Sequence, residues 1–110
     1  MSYSAFKTLS EVLNSKTVTT ITKTSKDKFC SNELQITMAL GAASEIYEII
    51  ATIDEEIYML NKDLYSLIEP IKSYYRSMLN NYKLVNSYKL YDSFKIDLVN
   101  LKTFLNKVLK

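Results

Sequence analysis

The chain has 110 residues, 47% of them hydrophobic, and a formal net charge of +2, which suits one domain with an apolar core. It contains one glycine, one proline, one cysteine and no histidine. This composition excludes most turn-rich sheet folds, an internal disulfide, Glu-x-x-His metal sites and Ser-His or Cys-His nucleophile pairs. We therefore expect an all-α protein that is not an enzyme and that uses no cofactor or metal.

No stretch approaches the ~20 apolar residues that a membrane span needs, so we expect a soluble protein in the cytoplasm or within a viral particle. Charge is divided into blocks: net +3 over residues 1–32, −7 over 33–70 and +6 over 71–110. This division favours a basic C-terminal helix that folds back on an acidic helix of its own chain or of a neighbour. Chance segregation of solvated charges is the alternative.

The first predicted element is a short amphipathic helix over residues 3–14, with one apolar face. That face comprises Ala5, Phe6, Leu9, Val12 and Leu13. The β-branched run Thr17–Thr22 disfavours helix. We interpret residues 15–32 as an extended linker, or alternatively as a strand or arm that forms only in an assembly. Residues 1–32 thus form an N-terminal unit, and residues 33–110 a coiled-coil helical hairpin domain.

A heptad pattern of apolar a and d positions then runs over residues 36–78 without interruption, opposite a charged face at the f positions. It predicts an elongated bundle or coiled coil around one long central helix, with strand number left open. We expect an oligomer or partner interface along this stripe at Ile36, Ile46, Ile50, Ile53, Ile57, Leu60, Leu64, Leu67, Ile71, Tyr74 and Met78.

Pro70 lies inside the pattern at a g position, with no residue inserted and no change of phase. We expect a continuous helix that is kinked at Pro70. The alternative is a helix end near Glu69, with Pro70 in the first turn of the next helix.

The pattern fails after Met78, and a new register starts at Tyr91, so we place a break between residues 80 and 90. A last helix reaches Leu109 and folds back, with Ile96, Val99 and Phe104 widening its apolar face. A helix over 33–79 is ~70 Å long and the last helix only ~30 Å. Much of the stripe is then too long for its own chain to cover, which predicts self-association or a partner.

Three functions follow as hypotheses. The first is a structural or assembly protein that oligomerises through the stripe, in keeping with a small virion or phage component. The second is an adaptor that pairs with a larger helical protein. For the second, Tyr88-Lys-Leu-Tyr-Asp92 matches the Tyr-x-x-x-Asp pattern of small helical partners of type VII secretion substrates, although their Trp-x-Gly turn is missing.

The third is a nucleic-acid-binding module in the basic C-terminal region, where Lys83, Lys89 and Lys95 alternate with tyrosines. Two other features could suggest a metal site or a reactive thiol, but the sequence favours neither. Asp54, Glu55 and Glu56 are consecutive, so a helix points them in different directions and they form a solvated acidic face. Cys30 is interpreted as an incidental thiol.

Overall fold

The computed structural model describes residues 4–25, 33–60, 62–80 and 88–108, with side chains described for 6–25, 37–52, 62–80 and 88–108. Within these ranges every residue is helical except Asn14, Ser15, Thr24 and Ser25, which confirms the all-α class. The helices are α1 (Ser4–Leu13), α2 (Lys16–Lys23), α3 (Glu33–Leu60), α4 (Lys62–Asn80) and α5 (Tyr88–Val108).

The N-terminal helix α1 lies where the sequence predicted it, but the segment after it is not an extended linker or a strand. Residues 16–23 form the helix α2, for which Ser15 is the N-cap: its hydroxyl accepts a hydrogen bond from the Val18 amide at 3.3 Å. Val18 and Ile21 are buried. Burial of these two side chains outweighs the weak helix propensity of a β-branched run.

The prediction of one long central helix is wrong, because the chain reverses direction between α3 and α4. The rings of Tyr47 on α3 and Tyr75 on α4 have centroids 5.0 Å apart, and the Arg76 guanidinium lies 5.9 Å from the Tyr47 ring centroid. In a straight helix, two residues 28 positions apart are separated by ~42 Å. The radius of gyration is 13.7 Å, close to the ~13 Å of a compact domain of this length.

Helix α4 runs through Pro70, so the alternative that a helix ends near Glu69 is wrong. Pro70 is exposed, on the side of α4 away from the core. The bond it lacks would be to the carbonyl of Ser66, which is exposed too. Water can therefore hydrate this carbonyl, and the apolar face of α4 stays in register on both sides of the proline.

Helix α5 folds back along α4, as expected, and the Tyr74 and Phe94 rings stack with centroids 4.0 Å apart and planes 6° from parallel. The predicted break over residues 80–90 falls mostly on 81–87, which lie outside the described residues. Helices α1 and α2 each pack against both α3 and α5. One apolar core joins all five helices, and its largest fully buried side chains are Leu9, Leu13, Ile21, Ile46, Ile50, Ile68, Ile71, Met78, Tyr91, Phe94 and Leu98.

Candidate interaction surfaces

The heptad stripe faces the interior of a single chain. Six of its predicted interface residues are buried there, and Leu67 is half-buried: the six are Ile46, Ile50, Leu64, Ile71, Tyr74 and Met78. The side chains of Ile36, Ile53, Ile57 and Leu60 lie outside the described ones. The stripe would be too long for its own chain only if α3 and α4 formed one straight helix. In the hairpin, the described part of the stripe packs against other helices of the same chain.

The three lysines predicted to contact nucleic acid do not form one exposed set. Lys83 lies outside the described residues, and Lys89 is exposed on α5. Lys95 is engaged inside the bundle, because its ammonium donates hydrogen bonds to the Thr24 carbonyl at 2.7 Å and to the Tyr88 hydroxyl at 3.3 Å. Its side chain is only 14% exposed. Lys95 is therefore unavailable for a phosphate contact.

Lys95 and Tyr91 instead tie the C-terminal end of α2 to α5. The Tyr91 hydroxyl donates to the Ile21 carbonyl at 3.3 Å, and Lys95 donates to the Thr24 carbonyl. These carbonyls belong to the last turn of α2 and its C-cap, where a cation is favoured. The Ile21 carbonyl also accepts a hydrogen bond from the Thr24 backbone N–H at 3.2 Å. We call this arrangement the α2 clamp, comprising Lys95, Tyr91, Ile21 and Thr24.

The environment of Lys95 stabilises its charged form. Burial alone would lower the pKa of Lys95, but the hydrogen bond to Tyr88 and the Asp92 carboxylate, 3.4 Å from the ammonium, together raise the pKa above its usual value. Burial has the opposite effect on the Tyr91 hydroxyl: it disfavours the ionised phenolate and so raises the pKa of this group. At neutral pH the clamp therefore contains an ammonium ion and a neutral phenol, both of which can donate to carbonyl oxygens.

The opposite side of α5 carries large apolar residues in solvent. Ile96 is 54% exposed and Val99 is 45% exposed, and they lie one turn apart. Exposed Lys89 and Lys107 lie on the same side, toward the two ends of the helix. The sequence predicted that Ile96, Val99 and Phe104 widen the apolar face of the last helix. Of these three, only Phe104 is half-buried, so Ile96 and Val99 do not extend the side that packs on the bundle. We refer to Lys89, Ile96, Val99 and Lys107 as the outer face of α5.

A groove opens between α1, α2 and α3, with a volume of about 570 Å³. Its floor includes the buried residues Val12, Val18 and Ala42. Its exposed residues include Gly41 and the carboxylates Glu11 and Glu45. We call it the α1–α3 groove. Its acidic rim and apolar floor suit a ligand that combines positive charge with apolar surface.

A second hollow lies on the outer side of α4, where Tyr65, Ser66, Glu69, Pro70, Ser73 and Arg76 line it. The Glu69 carboxylate forms ion pairs there with Arg76 and Lys72, whose side-chain nitrogens each lie 3.7 Å from one of its oxygens. Among the described residues, no group of three or more Cys, Asp or Glu side chains is placed to hold a metal ion. Cys30 and the side chains of Asp54, Glu55 and Glu56 lie outside the described ones.

No described helix combines the length and the hydropathy that crossing a bilayer requires. The chain matches no known protein family, no curated protein and no solved structure. Inference about function therefore rests on the surfaces of the chain described above. Sequence reasoning missed the α1–α3 groove, because α2 was interpreted as a linker. The one available signal was Gly41, a lone glycine inside a helical pattern, which often marks a packing or functional site.

Proposed function

We propose that this chain is a non-enzymatic assembly protein that self-associates, and that its contact with another copy includes the outer face of α5. The observation that carries the proposal is the exposure of Ile96 and Val99 in the middle of a well-packed helix. The core-facing residues of α5 are almost fully buried. The chain thus had no need of these two apolar side chains for its own core.

Charge supports self-association over binding to an unrelated protein. The outer face of α5 carries Lys89 and Lys107 beside its apolar centre. The same chain offers a complementary charge, because the described part of α3 exposes acidic side chains such as Glu45, and its sequence contains no lysine or arginine. Opposite charges on two surfaces of one molecule attract copies of it to each other and set their orientation.

The composition is consistent with this kind of role. With no histidine and a single arginine in the chain, most templates for acid–base, nucleophilic and phosphate chemistry lose a component. A small helical bundle that exposes apolar and charged side chains suits a structural component of a larger particle, such as a virion or phage part.

The test is the mass in solution of the wild type and of a variant with Ile96→Glu and Val99→Glu. The wild type should exceed the 12.7 kDa of one chain, and the variant should approach that value. Both side chains are exposed, so the variant should keep its helical circular dichroism.

The matched control is Ser66→Glu with Ser73→Glu, which places two carboxylates on the exposed side of α4. It should associate like the wild type. A wild type that stays monomeric up to millimolar concentration overturns self-association and favours the adaptor hypothesis, in which the partner is a different and larger protein.

A further inference from the structure

We propose that the α1–α3 groove of one copy receives the outer face of α5 from a second copy. This inference rests on the proposed function and names the surface that completes its interface.

The size of the contact argues that α5 needs a concave partner. Helix α5 has 21 residues, so its outer face is a strip ~31 Å long and ~10 Å wide. Laid on a flat surface, such a strip covers far less than the ~800 Å² per partner of a stable interface. A groove raises the contact area because its walls also cover the flanks of the helix. The α1–α3 groove has a volume of about 570 Å³, against about 510 Å³ for the hollow on the outer side of α4.

The floor of the groove matches the centre of the strip. Val12, Val18 and Ala42 form the apolar floor of the groove, but they are only 9%, 1% and 4% exposed, so their own chain already covers nearly all of their surface. Ile96 and Val99 are branched side chains of matching character, one turn apart on α5. Placing them on this floor removes chiefly the apolar surface of Ile96 and Val99 themselves from water.

Gly41 is the second, independent indication that something approaches the groove. It lies in the interior of α3, where glycine destabilises a helix relative to alanine. A Cβ atom added to Gly41 would meet nothing within 4 Å in the described part of the chain. Packing among the described residues therefore gives no reason for the missing side chain. Close approach of another helix to the α3 backbone gives one.

The charges at the rim of the groove complement those on α5. Glu11 and Glu45 are exposed and have no ion-pair partner within the described part of the chain. On α5, Asp92 already faces Lys95, so Lys89 and Lys107 at the two ends of the outer face give it a positive character. A strip with an apolar centre and a lysine toward each end thus meets a groove with an apolar floor and carboxylates at its rim.

A charge-swap experiment tests this pairing directly. One variant reverses the groove (Glu11→Lys and Glu45→Lys), and another reverses the helix (Lys89→Glu and Lys107→Glu). In each variant the groove and the helix carry the same sign, so each alone should dissociate at concentrations at least tenfold above the wild type. Mixed in equal amounts, the two should associate again, because the groove of either variant is then opposite in charge to the helix of the other. A chain with all four reversals should also associate.

Two further variants separate specific pairing from general charge effects. Glu48→Lys changes an exposed carboxylate of α3 that does not line the groove, and it should associate like the wild type. Gly41→Leu fills the groove where the monomer has open space, so it should keep its helical circular dichroism and weaken association at least tenfold.

The outcomes distinguish this inference from the proposed function. If Ile96→Glu with Val99→Glu abolishes association but the groove-reversed and Gly41→Leu variants associate like the wild type, the groove is not the receiving surface and the proposed function stands. If the two charge-reversed variants fail to associate when mixed, the pairing of the α1–α3 groove with the outer face of α5 is overturned, and the proposed function stands. If the wild type is itself monomeric, both proposals fail.

Discussion

Lys95 shows how a residue can have a role that its sequence neighbourhood conceals. Its position among tyrosines in a basic region is typical of a surface that binds nucleic acid, yet its ammonium donates to a carbonyl 71 residues earlier in the chain. No local pattern indicates such a partner, because the contact exists only once α2 has packed against α5. By contrast Lys89, six residues earlier, is exposed as the pattern predicted.

The α2 clamp predicts that Lys95→Met destabilises the fold, because this variant keeps the length of the side chain and removes the ammonium. The Thr24 carbonyl loses a charge-assisted hydrogen bond in a partly buried setting, so we expect the free energy of unfolding to fall by about 1–3 kcal/mol. Urea unfolding followed by circular dichroism measures this change. Lys89→Met is the control and should change the value by less than about 0.5 kcal/mol. Equal losses in the two variants would contradict the clamp.

Asp97 gives a prediction with a defined dependence on pH. Burial raises the pKa of this half-buried carboxyl above its ordinary value of 3.8. Between 3.8 and the higher folded-state pKa, the folded protein holds a proton that the unfolded chain has lost, so stability falls as pH rises through this window. Above this pH window, Asp97 is ionised in the folded protein, and the partly buried carboxylate lowers the free energy of unfolding.

Asp97→Asn removes that cost and should raise the free energy of unfolding at pH 7 by less than about 1 kcal/mol, since water still screens the carboxylate. The gain should vanish below pH 3.8. Urea unfolding at the two pH values is the measurement. Asp92→Asn should act in the opposite direction at pH 7, because the Asp92 carboxylate faces the Lys95 ammonium at 3.4 Å. A gain for Asp97→Asn that is equal at both pH values would show that charge is not its cause.

At the scale of elements, α2 shows why local propensity failed. Its threonine hydroxyls donate to carbonyls three or four residues earlier in the chain, as in Thr19 to Ser15 and Thr20 to Lys16, both at 2.9 Å. Such bonds satisfy the hydroxyls within the helix itself. The apolar residues Val18 and Ile21 meanwhile face the core. The sequence contained this three-residue spacing, but it is too short to indicate a helix on its own.

The hairpin of α3 and α4 shows a second limit of pattern reading. An antiparallel hairpin and a straight helix both place the a and d positions on one face, so the heptad pattern predicts which residues are buried but not what covers them. It identified most of the buried side chains of both helices, including Ile50 and Ile71, but not Ile68 or Lys72, which lie off the a and d positions. It could not indicate the reversal after Leu60, because the phase continues unchanged on the other side.

Pro70 is an exposed helix-interior proline, and its replacement should stabilise α4. Pro70→Ala restores a backbone N–H that can donate to the Ser66 carbonyl. A proline in a helix interior costs ~3 kcal/mol relative to alanine, of which ~1 kcal/mol is returned because proline also restricts the unfolded chain. We expect the free energy of unfolding to rise by about 1–2 kcal/mol, measured by thermal unfolding.

The control for this variant is Ser73→Ala, one turn further along the same exposed side of α4. It should change the free energy of unfolding by less than about 0.5 kcal/mol. A Pro70→Ala variant that is no more stable than the wild type would show that the bundle already compensates fully for the missing bond.

At the scale of the whole molecule, α1 and α2 belong to the same core as the rest of the chain. Leu9 and Ile21 are fully buried, and the Asn14 side-chain amide donates to the side-chain carbonyl of Asn106 near the end of α5 at 3.2 Å. The expectation of an extended linker or arm over residues 15–32 assigned α2, but not α1, to the outside. The structure makes it one layer of the bundle, lying against α3 and α5.

One shared core predicts one cooperative unfolding transition. Ile21→Ala in α2 and Leu98→Ala in α5 each leave a cavity, and each should cost about 2–5 kcal/mol. Both should shift the same transition when urea unfolding is followed by circular dichroism and by tyrosine absorbance. Val99→Ala on the exposed side of α5 is the control, with a change below about 0.5 kcal/mol. A separate early transition in Ile21→Ala alone would indicate an independent arm.

The parts of the fold that the sequence predicted are those that depend on periodicity within one helix. These are the all-α class, helix α1, the buried faces of α3 and α4, and the buried face of α5 around Tyr91 and Phe94. The parts that it did not predict depend on contacts between distant residues: the packing of α2, the clamp on Lys95 and the α1–α3 groove. Charge blocks pointed to folding back of α5, although the described ion pairs join neighbours within α4 and α5.

The stack of Tyr74 on Phe94 gives the molecule a built-in optical probe. With nine tyrosines and no tryptophan, its ultraviolet emission comes from tyrosine alone. Burial raises the pKa of the Tyr74 hydroxyl far above the ordinary value of 10.0, so this phenol resists forming tyrosinate for as long as α4 and α5 remain in contact. In strong alkali the unfolded chain releases that proton more readily than the folded one, and the balance therefore shifts toward separation of the two helices. The late tyrosinate band near the end of an alkaline titration should thus appear together with the loss of helix.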